Sequence, residues 1–124
     1  MLSMSKGGLK MLDLEQFTGS EQNFITSLGI DIEVITEGVK YLIENTDIKQ
    51  ALNVIFASIQ ANPTMQEEGF LVIRLIQEPK RIFVKIEDGN DNILDSFPLD
   101  KIELPKEQVD LWYVNNTLLL PSEY

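Results

Sequence analysis

The chain has 124 residues, 20 acidic against 10 basic, for a formal net charge of −10, and it contains neither cysteine nor histidine. That length holds one domain, and 44% hydrophobic residues is a globular composition. The charge opposes direct binding to nucleic acid or an anionic membrane, while the missing Cys and His exclude disulfides, Cys/His zinc sites, thiol nucleophiles and any Ser-His-Asp or Cys-His arrangement.

Met1 to Leu12 carries Lys6 and Lys10 but no continuous apolar run, so it predicts a flexible N-terminal arm over 1–12 and no targeting segment. A single domain then follows over 13–124. The longest apolar runs, Phe70 to Ile73 and Leu118 to Leu120, are too short to span a bilayer. The absence of cysteine suits a cytoplasmic protein.

Asp13 to Phe17 reads as a short helical turn, broken by Thr18-Gly19-Ser20. After Gly29, Ile30, Ile32 and Val34 alternate with Asp31 and Glu33, the period of a half-buried strand ending near Ile35. Thr36 is placed to cap a helix through Glu44, with Val39, Leu42 and Ile43 on one stripe. Asp47-Ile48-Lys49-Gln50 resembles a capping box. It opens a second helix with Ile48, Ala51, Leu52, Ile55, Phe56 and Ile59 on one face, stopped by Asn62-Pro63. Glu67-Glu68 reads as loop.

From Phe70 the pattern turns to strands. Phe70 to Ile76 is apolar on both parities except Arg74, as expected of a central strand. Ile82, Val84 and Ile86 alternate with Phe83, Lys85 and Glu87 after a turn at Pro79-Lys80. Asp88 to Asn92 is a turn, and Ile93 to Leu99 a strand that Pro98 should end. Asn115-Asn116 then suits a two-residue type I′ hairpin loop, pairing Val114 with Thr117 and Trp112 with Leu119. One hairpin face carries Trp112, Val114, Thr117 and Leu119; the other carries Leu111, Tyr113, Leu118 and Leu120. Both are largely apolar, so the second needs a cover: the N-terminal segment or another copy of the chain. The predicted fold is α+β: two consecutive helices packed on one face of a mostly antiparallel sheet of about five to six strands.

Several residue blocks resemble the bacterial family DUF6876. They are Leu14 to Glu21, Thr36-Glu37-Gly38-Val39-Lys40-Tyr41-Leu42, Ala57 to Gln60, Glu87 to Asn90, Leu111-Trp112-Tyr113, and the closing Leu118-Leu119-Leu120-Pro121-Ser122-Glu123-Tyr124. The likeness spans about 13–124, and the Thr36 and Leu118 blocks are the specific ones. The resemblance implies a small single domain, often carried on plasmids or other mobile elements. It also implies a Trp and a His after the first block and a Trp entering the second helix. This chain has Asn23-Phe24-Ile25 and Asp47-Ile48 there instead. No activity, cofactor or functional residue comes with the family.

No catalytic, cofactor-binding or metal-binding constellation stands out. Between Glu87 and Asp110 lie eight acidic residues against two lysines. This stretch reads first as a solvated edge that discourages aggregation. Its sharper reading is an acidic surface, a nucleic-acid mimic, for a basic protein. Asp88, Asp91, Asn92 and Asp95 are oxygen donors of the kind Ca²⁺ or Mg²⁺ uses, but their spacing is not that of a calcium loop. Trp112 and Tyr113 read as core packing, with an interface anchor as the alternative. The candidate interaction residues are therefore Trp112, Tyr113, Asp88, Asp91 and Asp95. The functional expectation is a cytoplasmic, non-enzymatic interaction or regulatory protein of a mobile element, self-associating through its sheet. The alternatives are an acidic inhibitor of a basic host protein and, behind it, a carboxylate- or metal-dependent enzyme.

Overall fold

The computed structural model describes residues 23–124, so the arm expected at 1–12 and the helical turn at 13–17 lie outside the described residues. In chain order the elements are β1 (Asn23–Leu28), β2 (Asp31–Thr36), α1 (Glu37–Asn45), α2 (Ile48–Gln60), α3 (Pro63–Glu67), β3 (Phe70–Gln77), β4 (Arg81–Glu87), β5 (Ile93–Asp100), β6 (Gln108–Val114), β7 (Thr117–Leu119) and a closing 3₁₀ turn (Pro121–Glu123). The strands make one sheet in the order β1-β2-β7-β6-β3-β4-β5, antiparallel at every junction except the parallel β2–β7 pair.

Periodicity explains why one face of that sheet is dry. Cross-strand register places Ile73 beside Ile86 and Leu111, and Leu75 beside Val84 and Val109. All six are fully buried, in one core with Ile48, Leu52, Ile55 and Phe56 of α2. The helices therefore lie on this face. Burial of each such aliphatic side chain contributes about 1.5–3 kcal/mol, so this face supplies most of the driving force for folding. The expected α2 stripe is buried in full.

The fold class is α+β as expected, with seven strands and three helices among the described residues. Each added element has a physical reason. β1 escaped the sequence because Asn23, Thr26 and Ser27 interrupt any apolar alternation. Asn62-Pro63 ends α2 but also starts α3: the Asn62 side chain accepts the Met65 N–H, and Pro63 stands at the first turn, where its missing N–H costs nothing. Glu67 thus closes a helix rather than sitting in loop. β5 runs through Pro98 to Asp100 because it is the sheet's edge, where an absent donor breaks no ladder.

The hairpin register holds as read, Val114 with Thr117 and Trp112 with Leu119, and both asparagines of its loop have positive φ. The helix layer covers the Leu111 and Tyr113 face: the Phe56 ring meets Tyr113 edge-on, with centroids 4.9 Å apart. On the opposite face Val114 and Leu119 are buried, and Trp112 packs edge-on against Phe70 and Tyr124 at 5.1 and 5.3 Å.

One strand inverts the sequence reading. β2 was expected to bury Ile32 and expose Glu33. Instead Ile32 is 61% exposed and Glu33 8% exposed. The buried carboxylate is tolerable because both oxygens are bonded: the Tyr113 hydroxyl donates to one at 2.6 Å and the Gln60 amide to the other at 2.9 Å.

Candidate functional site

Three features stand out beyond the core. The first joins the two specific sequence blocks. Thr36 stands at the N-cap of α1 but does not cap it with its own side chain. The Glu123 carboxylate, 87 residues from Thr36, takes that place: it accepts the Gly38 N–H at 2.9 Å and the Thr36 hydroxyl at 2.5 Å. It also accepts the Leu120 N–H of its own turn at 3.0 Å. A carboxylate at a helix N-terminus satisfies orphan amides and complements the helix dipole. Gly38 is required by closeness: a Cβ there would lie 2.5 Å from Leu120 Cδ1 and 2.8 Å from Glu123 Oε1. The Thr36-Glu37-Gly38 and Leu120 to Glu123 segments are one structural latch. α2 shows a similar substitution of partners, for Thr46 Oγ1 rather than the Asp47 side chain accepts the Ile48 N–H, at 3.1 Å.

The second feature is a cleft of about 710 Å³ between β2, the ends of α2 and α3, and the hairpin loop. Among the described residues its lining includes Asp31, Glu33, Glu67 and Glu68 but no Lys or Arg. The Tyr113–Glu33–Gln60 network crosses it. Desolvation, then the hydrogen bond to Glu33 and the charges of Glu33 and Asp31, push the Tyr113 phenol well above its ordinary range. The phenol is therefore a donor here and no base.

The third is the sheet face away from the helices. Ile25 of β1 pairs with Val34, and Ile32 with Ser27, so the two isoleucines are diagonal neighbours. Ile25 is 73% exposed, and Ile30, in the connecting turn, 84%. Among the described residues the most exposed aliphatic side chains, Ile30, Ile25 and Ile32, thus lie at β1, β2 and the turn between them rather than on the closing hairpin.

The sequence-selected residues do not converge. Trp112 and Tyr113 face opposite sides of β6. Asp88 is consumed by its own turn, accepting from the Asn92 side chain and from the Asn90 and Asn92 backbone amides, which hold its carboxyl below the usual range. Asp91 sits in that turn with φ of 67°. Asp95 points to the helix layer and accepts the Ser58 hydroxyl at 3.2 Å. Glu87 and Asp110, at the ends of the acidic segment, both bind Arg74, at 3.0 and 3.3 Å. No group of three or more acidic side chains among the described residues is arranged to hold a metal ion. No described helix is long and apolar enough to cross a membrane. Gln60 and Glu123 had no sequence signal beyond their place in the Ala57 to Gln60 and Leu118 to Tyr124 blocks, and Glu33 had none beyond its polar position in the β2 alternation.

Neither a curated protein nor a solved structure matches the chain. A family model does, over residues 10–124, with the description "Family of unknown function (DUF6876)". Both specific blocks fall within that span, and their contact through Glu123 gives them a shared physical role; the chain belongs to the DUF6876 family.

Proposed function

We propose that the protein is a non-enzymatic interaction or regulatory protein that self-associates through its sheet, in the cytoplasm and in the service of a mobile element. The observation that carries the self-association is the inverted β2 strand, which buries Glu33 and turns Ile32 outward beside Ile25. Covering such side chains contributes about 1.5–3 kcal/mol each. A second copy suits this surface because β1, Asn-Phe-Ile-Thr-Ser-Leu, is an edge among the described strands and carries neither charge nor proline. The opposite edge, β5, carries Asp95, Pro98 and Asp100, the usual deterrents to strand pairing. Two chains of charge −10 repel each other broadly, so the uncharged edge is where they can approach.

Size-exclusion chromatography with light scattering tests the reading. The wild-type chain is expected to elute as a dimer or larger, and Ile25→Lys as a monomer with unchanged circular dichroism. A wild-type monomer at high concentration refutes it.

The acidic-inhibitor reading draws less support from the geometry. Four of its eight acidic side chains are engaged within the fold: Glu87 and Asp110 by Arg74, Asp88 by its own turn and Asp95 by Ser58.

A further inference from the structure

The cleft lies where the sheet comes apart. β2 pairs with β1 along its whole length, from Asp31 to Thr36. Its ladder to β7 is only Val34 and Ile35. Among the described residues, 31–33 therefore have a strand neighbour on one side alone. The Asn115-Asn116 loop ends the hairpin at that level, and the cleft opens in the place a longer β7 would fill. The local amides are held by side chains: the Ile32 N–H donates to its own Asp31 carboxylate at 2.8 Å, and the Ile30 N–H to Gln60 Oε1 at 2.9 Å. A strand entering the cleft can replace such bonds with main-chain ones.

We infer that this cleft takes a short, extended, basic peptide segment, added as a strand beside residues 31–33 of β2. Charge and pleat select the occupant. β2 alternates Asp31, Ile32, Glu33, and a neighbouring strand shares its pleat, so cross-strand pairs match like faces. One parity of the incoming segment meets the acidic side, with Glu67 and Glu68 of the opposite wall. The other parity meets Ile32. A segment alternating Lys or Arg with an aliphatic residue satisfies both. Four carboxylates, with no Lys or Arg among the described lining residues, disfavour an acidic or phosphorylated partner.

The test is a titration of the full chain with a short acetylated peptide alternating lysine and valine, followed by backbone amide chemical shifts. Two control peptides accompany it, one with glutamate for lysine and one N-methylated at alternate backbone nitrogens. The lysine peptide is expected to move Ile30 to Glu33 and the Asn115-Asn116 loop, and both controls to leave them in place. Asp31→Asn with Glu68→Gln, two exposed positions, should weaken binding about tenfold and leave circular dichroism unchanged. Ile25 lies off the cleft lining, so peptide binding by Ile25→Lys separates this inference from self-association. No saturation by about 1 mM, a weakness near −4 kcal/mol, overturns it. So does equal binding of the N-methylated peptide, or a set of shifts spread over residues 87–110 instead.

Discussion

Replacing Glu123 by alanine should cost more stability than any other single change to a charged side chain described here. The side chain is 8% exposed and holds three donors: Gly38 N, Thr36 Oγ1 and Leu120 N. Alanine leaves the Gly38 amide buried against Leu120 with nothing to accept it, at about 1–3 kcal/mol. Loss of the anion from the α1 N-terminus adds about 0.3–1 kcal/mol, up to about 2 in partly buried geometry. The hole beside Leu120 adds more, so the total is about 3–5 kcal/mol, a large share of the about 5–15 kcal/mol typical of a domain. Glu123→Gln keeps one acceptor oxygen and should lose about 1–2 kcal/mol. Urea unfolding followed by far-UV circular dichroism measures both. Fluorescence of Trp112, the lone tryptophan, reports the neighbouring Tyr124. If Glu123→Ala loses less than about 0.5 kcal/mol, the size of an ordinary surface substitution, the latch is not holding α1.

Gly38→Ala tests the same contact from the other side. Alanine is the better helix former by about 1 kcal/mol, yet the Cβ collides with Leu120 and Glu123. A net loss of about 1–3 kcal/mol is expected from overpacking, and a gain in melting temperature would contradict the geometry. Tyr113 makes a pH prediction. Its folded-state pKa is raised, so in the unfolded chain the phenol ionises first, near its ordinary 10. The stability it lends is complete below that pH and is lost as pH rises toward the folded value. In alkaline absorbance titration one of the three tyrosines should ionise late and together with unfolding, and Tyr113→Phe should delete that step. Three tyrosines titrating together in the folded chain would refute it.

Local order was legible in this sequence; long-range partners were not. The α2 stripe and the Asn115-Asn116 register are set by helical spacing and turn chemistry within a few residues, and both stand as read. Asn62-Pro63 was legible as a break but not as a new start, since a stop and an N-cap share the same residues. β2 misled because alternation reveals that two faces differ, not which one meets the helices. That choice fell to Tyr113 and Gln60, 80 and 27 residues from Glu33, which pay for the buried carboxylate with two hydrogen bonds. The Glu123 latch spans 85 residues to Gly38, so Leu120 to Glu123 carried no sign of its target. For the candidate interaction residues, sequence proximity gathered Asp88, Asp91 and Asp95, but the pleat and the β4–β5 turn send them to different neighbours.

Hydrogen exchange of the β1 amides across a concentration series probes the central claim most directly, because strand pairing between copies must protect the outward edge of Asn23–Leu28. The account predicts that alternate β1 amides exchange more slowly as concentration rises, and that Ile25→Lys abolishes the dependence. Exchange of β1 at one rate from dilute to concentrated solution would contradict it.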